Sequence, residues 1–527
     1  MSARVLFIGL DAAEPNLLRS GIADGSLPHL RALAERGMTG SLANCMLTLP
    51  GAVWPEIASG VSCGTLPRFF HPRQVITGSA VPRSLTALDV ADDPTFWGVA
   101  SAQGRRVAVV DIPHTPVSAS LNGVHVADYG LHDCHFGAAS VPPALLGELT
   151  AHHGAYTVPS CDHYGGTADT NLRLLDDLLA GLERKTNLVL DLLHRDQWDL
   201  FACAFSESHC VGHWCWHYSD PSHWGYEPDA PEALRNAVAT VYARLDAVVG
   251  RLVAEADATS TIVLASHGMA PYVAGYQLLP EVLARLGFSS GPAGRGSMLR
   301  AAQNRAKHWV PRRYWERLGR LVVEQPLVRA LVRPLQRGSG AMFFPLESPA
   351  TRAVYVPNNT IGAIRLNLKG REPVGCVESG AEAAELVNVL RAELLALCQP
   401  SSGQPIIADV VTADEVFGPS HHPDVPDLIV RFRQDLGLLD TCESANVGRV
   451  HVPVGSRWGR RSGDHSPRSA VWITGEGHEP RSVCEPGSLL DVAPTILAAL
   501  GCERPAFLDG RPLRARATVS TSQEERT

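Results

Sequence analysis

The chain opens on Arg4-Val-Leu-Phe-Ile-Gly-Leu10, an unbroken apolar run that ends at Asp11. A run this short, bounded by a charge, predicts a strand with both faces covered. Helical spacing through Leu17, Leu30 and Leu33 follows and stops at Gly37, as a helix closed by glycine does. The same grammar returns three times. A helix ending near Gly104 precedes Arg106-Val-Ala-Val-Val-Asp111, a long helix from about Asn171 to His194 precedes Leu200-Phe-Ala-Cys-Ala-Phe205, and one from about Ala230 to Ala256 precedes Thr261-Ile-Val-Leu-Ala265. Helices alternating with wholly apolar strands predict an α/β fold, its central sheet mostly parallel and covered by helices on both faces. Chemistry in such sheets collects at the carboxyl ends of the strands. Asp11, Ser206-Glu207 and Ser266-His267 all fall there, so three distant stretches of chain are expected to build one site.

From about Gly291 to Gly340 the pattern changes to eleven Lys or Arg against two acidic residues, with helical spacing around Trp309, Trp315, Leu318, Leu321 and Leu331. This predicts a basic helical insertion at 291–340, either a solvated excursion or a cap that attracts an anion. Strands return from Ala353, a helix from about Ala381 to Leu397 follows, and 514–527 is polar enough to be a disordered tail. The expected organisation is one catalytic domain made of 1–290 and 341–513.

The 527 residues are 45% hydrophobic and 19% charged, with a net charge of -8. That is an ordinary folded composition without the basic field of a nucleic-acid binder. No apolar run reaches a membrane span, and Val5 to Leu10 is too short for a signal peptide. Twelve cysteines lack paired CxxC spacing, which argues against a disulfide framework or a Cys-type zinc site. A soluble cytoplasmic protein with reduced thiols is expected.

Histidine is the unusual residue, with 21 copies. Glu207-Ser-His209-Cys-Val-Gly-His213 sets two imidazoles four apart, which share one face if the segment is helical. Gly463-Asp-His465 and His267 add two more. Neutral imidazoles with carboxylates suit Zn²⁺ or a related metal, although His209 and His213 also read as polar loop residues beside Trp214 and Trp216. His71-Pro-Arg73 offers a guanidinium for a phosphate, and the loops bearing His114 and His132-Asp133 are placed to line a pocket.

These motifs together resemble the alkaline phosphatase superfamily, and within it the type I phosphodiesterase/nucleotide pyrophosphatase group. Phe7-Ile-Gly-Leu-Asp11 is similar to that family's first strand with its metal-binding Asp. Thr48-Leu-Pro50, with Trp54 and Ala58-Ser-Gly60, is similar to its nucleophile segment. Gly212-His213, Ser266-His-Gly-Met269, Gly463-Asp-His465 and the closing Leu490-Asp-Val-Ala-Pro-Thr-Ile-Leu-Ala-Ala-Leu-Gly501 with Asp509-Gly-Arg511 resemble the remaining signatures. The resemblance implies an alkaline-phosphatase-like fold and a metal-dependent phosphohydrolase acting on a small anionic phosphodiester or phosphomonoester. Thr48 would be the nucleophile. Asp11, Thr48, His267, His209, His213 and His465 would hold two divalent ions, zinc by preference, with Arg73 and Glu207 near the substrate.

The sequence departs from the family at three places. Ser266 stands where the family has Asp, His209 stands where its second site has Asp, and Thr48 lies two residues farther from Gly60 than the family spacing. Exchanging carboxylates for neutral donors leaves more positive charge on the ions and weakens their retention, so the first site is expected to be weakly occupied. Phosphoryl transfer to an alcohol on the same site, and a degenerate ligand-binding relative, remain as alternatives. Oligomeric state is not encoded in any of these features.

Overall fold

The computed structural model describes residues 5–68, 73, 74, 78, 83–132, 134–158, 160, 161, 164, 166–289, 346, 348–358, 360–452, 461–475 and 479–516. The insertion expected at 291–340, most of the tail expected at 514–527, His71, Asp133 and the Arg73 side chain lie outside the described residues. Contacts divide the chain into two compact units, one of 1–72, 84–272 and 460–527 and one of 73–83 and 273–459.

The first unit is built on β1 (Val5–Leu10), β2 (Met38–Gly40), β3 (Val107–Val110), β4 (Gly123–Ala127), β5 (Ala139–Val141), β6 (Leu200–Phe205), β7 (Ser260–Ala265), β8 (Gly268–Pro271), β9 (Gly463–Ser466), β10 (Ala470–Gly475) and β11 (Ser482–Val483). Nine of these form one sheet in the order β11-β2-β10-β7-β1-β6-β3-β4-β5. The five central strands from β7 to β4 are parallel, and antiparallel pairing enters at β10 and β5. Every residue of β1 and β6 is buried, which is why both read as continuous apolar runs. The expected mostly parallel central sheet is therefore present.

Helices α1 (Val53–Ser59), α2 (Ala168–His194), α3 (Glu207–Ser219), α4 (Ala237–Ala256) and α5 (Val492–Ala499) belong to the same unit. In α2 the residues Leu174, Leu178, Leu182, Val189 and Leu193 recur at helical spacing and are buried with Phe201 and Phe205. Burying a Leu or Val side chain is worth about 1.5–3 kcal/mol, so this stripe rather than helix propensity fixes α2.

One charged pair lies inside that core. Lys185 Nζ is 2.8 Å from Asp111 Oδ2, and both side chains are fully buried. Asp111 also accepts the backbone N–H groups of Tyr129 and Gly130 at 2.9 Å each, while Lys185 donates to the Gly130 carbonyl at 2.9 Å. Lys185→Met strands the carboxylate without its counter-charge, so a loss of about 3–5 kcal/mol is expected. A lowered urea midpoint measures it; an unchanged midpoint removes the pair from the account of stability.

In the second unit, strands Ala353–Asn358, Ile361–Leu366, Leu428–Phe432 and Ile407–Thr412 form an antiparallel sheet in that spatial order. The helix Ala381–Leu395 supplies Leu386, Leu390 and Leu394 to a core with Ile364 and Val430. Arg365 is fully buried here, its Nε 2.8 Å from Glu372 Oε1.

Candidate active site

Register assembles the site. Leu10 of β1 pairs with Phe205 of β6 and with Ala265 of β7, so the next residues, Asp11, Ser206 and Ser266, emerge side by side. Backbone bonds continue past the strands: Asp11 N–H donates to the Phe205 carbonyl at 2.8 Å and Ser266 N–H to the Leu10 carbonyl at 3.2 Å. Helix α3 starts one residue beyond this edge and holds His209 and His213 one turn apart on one face. The antiparallel ribbon of β8 and β9 sets Met269 opposite His465 and delivers the third imidazole. A side chain at Gly463 would meet the Gly212 carbonyl at 2.3 Å, so only glycine lets β9 approach α3 this closely.

Three ring nitrogens converge. His209 Nε2 lies 2.8 Å from His213 Nε2 and 2.9 Å from His465 Nε2. The other nitrogen of two of these rings is already committed: His209 Nδ1 faces Asp11 Oδ2 at 2.6 Å and His213 Nδ1 faces the Gly463 carbonyl at 2.7 Å. Both partners are acceptors, so both Nδ1 atoms carry a proton, and in the neutral ring the Nε2 atom is the one left with a lone pair. Lone pairs at such a separation repel unless a cation lies between them. Burial, then the neighbouring Arg461 and His209, hold His213 well below the usual imidazole range; burial, then His267, His209 and His213, do the same for His465. Metal ligation requires that neutral form.

Asp11 orients the centre. Burial opposes its charge, but His209 and His267, with hydrogen bonds from His209 and Trp54, hold its carboxyl far below the usual range. Trp54 Nε1 donates to Oδ1 at 2.7 Å and Ser266 Oγ to the same oxygen at 3.4 Å. A carboxylate behind a ligating histidine fixes its tautomer and raises its basicity. His267 sits beside this group, its ring centroid 4.6 Å from that of His465, and its Nε2 is buried with no hydrogen-bond partner among the described residues. Burial lowers His267 to about 4.

Residues 5–438 match the family described as type I phosphodiesterase/nucleotide pyrophosphatase. The chain belongs to that family. As a member it is a hydrolase of phosphoric ester bonds. Among curated proteins none matches it by sequence. Among solved structures it is similar to phosphonoacetate hydrolase from Sinorhizobium meliloti 1021 in complex with phosphonoformate, at 14% identity over 95% of this chain and 96% of that one, with a TM-score of 0.45. It is also similar to human ectonucleotide pyrophosphatase/phosphodiesterase 5, at 9% identity over 95% and 96% of the two chains and a TM-score of 0.46. The murine protein of the same name gives 10% identity over the same shares and a TM-score of 0.49.

Of the residues expected in this family's site, Asp11, His209, His213, His267 and His465 come together. Thr48 follows a short 3-10 turn, Cys45–Leu47, and its hydroxyl donates to the Cys45 carbonyl at 2.9 Å with Cys63 Sγ at 3.9 Å. Glu207, expected near substrate, is fully buried and accepts a 2.7 Å hydrogen bond from Tyr156 at Oε1. Burial raises its carboxyl.

Two neighbours, Arg461 and Asp464, escaped the sequence reading of the centre, and a third, His132, was expected only in a pocket-lining loop. Arg461 is buried with Nη1 3.3 Å from His213 Nε2. Asp464 groups with His213 and His465, and burial raises it to about 6 against the pull of the His465 N–H and Arg461. The ring of His132 lies 4.1 Å from that of His209. Arg461 stands four residues before His465 in Arg461-Ser-Gly-Asp-His465, a spacing that could have marked it. No helix among the described residues is long and apolar enough to cross a membrane.

Proposed function

We propose that this chain hydrolyses a small anionic phosphodiester or phosphomonoester, with His209, His213 and His465 holding a divalent cation and Thr48 supplying the attacking oxygen. The observation that carries the metal is the approach of His209 and His213 through Nε2 while Asp11 and Gly463 occupy both Nδ1 atoms. Zinc suits three imidazoles. A second, weaker ion would take Asp11, His267 and Thr48: the His267 Nε2 has no hydrogen-bond partner among the described residues, and Asp11 Oδ2 keeps a lone pair beside its bond to His209. With Ser266 in place of a carboxylate, that set carries one negative charge.

When bound, such ions supply Lewis acidity that stabilises charge on the phosphoryl oxygens and lowers the pKa of a hydroxyl. The chain does the rest. Arg461, beside His213, is positioned to pair with a non-bridging oxygen, as guanidinium does with phosphate. Asp11 keeps His209 oriented. The Thr48 hydroxyl, freed from the Cys45 carbonyl, attacks phosphorus and displaces the ester oxygen, which leaves as an alcohol with the proton that Thr48 gives up; water then cleaves the bond to Thr48, releasing phosphate from a monoester or the remaining monoester from a diester. None of the twelve cysteines is in a disulfide, the state a reducing compartment maintains, which supports a cytoplasmic location.

Aryl phosphate monoesters, aryl phosphate diesters and an aryl sulfate separate the readings. Phosphate-ester cleavage that disappears on chelation and returns with Zn²⁺ is the expected result. Turnover indifferent to chelation overturns the metal assignment, and preference for the sulfate overturns the substrate class.

A further inference from the structure

Behind the imidazole centre lies a second group of ligand-type side chains that the proposed hydrolysis leaves unused. His132 Nδ1 is 3.0 Å from Cys161 Sγ and 3.5 Å from Cys210 Sγ. The three ligand atoms all lie within 4.8 Å of one another, and the three residues are at most 5% exposed. They come from separate stretches: His132 from the loop after β4, Cys161 from the segment before α2, and Cys210 from the first turn of α3, directly after His209. The loop of His132 is held independently, since its backbone N–H donates to Ser206 Oγ at 3.1 Å.

We propose that His132, Cys161 and Cys210 form a structural site for a thiophilic divalent cation, Zn²⁺ by preference, distinct from the imidazole centre. In a tetrahedral zinc site, bonds of about 2.3 Å to sulfur and 2.0–2.1 Å to nitrogen put neighbouring N and S atoms about 3.6 Å apart. Cys210 already stands at that separation from His132 Nδ1, and Cys161 needs to open by roughly half an ångström. Charge favours the same occupant. A dication entering the site displaces one proton from each thiol, and M²⁺ with two thiolates and a neutral imidazole is net neutral. A neutral group is the one that an apolar interior tolerates.

Such a cation ties the loop after β4 and the segment before α2 to the first turn of α3. Because the His132 ring lies against the His209 ring, the tie braces a ligand of the imidazole centre from behind. His132 is thus a positioning residue for His209, and the role does not depend on which ester is hydrolysed.

The test uses the full chain produced in cells grown with cobalt in place of zinc. Thiolate ligation gives Co²⁺ an intense near-ultraviolet charge-transfer absorption that an imidazole-only site lacks. The expected result is that absorption in the wild-type protein, lost together with one cobalt per chain in the Cys161→Ser/Cys210→Ser variant. An absent band, a band and cobalt content unchanged in that variant, or a Cys161–Cys210 disulfide in the isolated protein overturns the proposal. Should the variant fail to fold, the Cys45→Ser/Cys63→Ser protein decides, because it removes the other buried thiol pair and keeps the proposed ligands. Undiminished charge-transfer absorption there supports the site, and its loss overturns it.

Discussion

His465→Ala will lose the cation held by the imidazole centre, and with it turnover, while the chain keeps its fold. His465 sits on a two-stranded ribbon paired through Met269 and anchored by Glu14, whose carboxylate accepts the Met269 N–H at 3.0 Å, the Ser466 hydroxyl at 3.1 Å and Arg468 Nε at 2.7 Å. None of these bonds uses the imidazole, so the ribbon survives its removal. What goes is one of three neutral donors, and two imidazoles form an incomplete set for a cation that closes its shell at four ligands. Elemental analysis should show less metal per chain, with hydrolysis reduced on the order of 10³-fold or more and an unchanged circular dichroism spectrum. Metal content equal to wild type would remove His465 from the ligand set.

Thr48 carries the other large effect. If its oxygen attacks phosphorus, Thr48→Ala removes the nucleophile and lowers kcat on the order of 10³-fold or more. KM should change little, because Arg461 and the imidazole centre still hold the ester. Thr48→Ser keeps the oxygen and should stay within about tenfold of wild type. Trapping a phosphorylated chain with substrate in wild type but not in Thr48→Ala would confirm the covalent step. Near-wild-type hydrolysis by Thr48→Ala would mean that water attacks directly and that Thr48 only closes the turn onto Cys45.

Much of this architecture could be read from sequence because the central strands are buried on both faces. β1 and β6 are apolar throughout and β7 is apolar from Ile262 to Ala265, and the first polar residue after each marks the sheet edge, which located Asp11, Ser206 and Ser266. The pair His209 and His213 was equally legible from one helical turn. Arg461 and Asp464 were not, and His132 was legible only as a pocket-lining residue. Their nearness to His213 or His209 arises from the β8–β9 pairing and from a loop across the sheet, and a contact across 248 residues, as between Arg461 and His213, leaves no local period. Glu207 illustrates the opposite case: its place after β6 suggested a substrate contact, yet its partner Tyr156 comes from a connecting segment whose path no spacing announces.

The separation of the ligands in the chain also orders events during synthesis. His209 and His213 leave the ribosome long before His465, which follows His209 by 256 residues. At about 5–20 residues per second, roughly 13–50 s pass in which the nascent protein displays two imidazoles and lacks the third. The Asp11 carboxylate and the His209 ring can already meet in that interval, because β1 and β6 are complete, but the Gly463 carbonyl that sets the tautomer of His213 does not yet exist. If the imidazole centre binds a cation as proposed, its loading is a late event, coupled to docking of the C-terminal ribbon, and a chain arrested before residue 463 should emerge folded around its central strands but without metal at this centre.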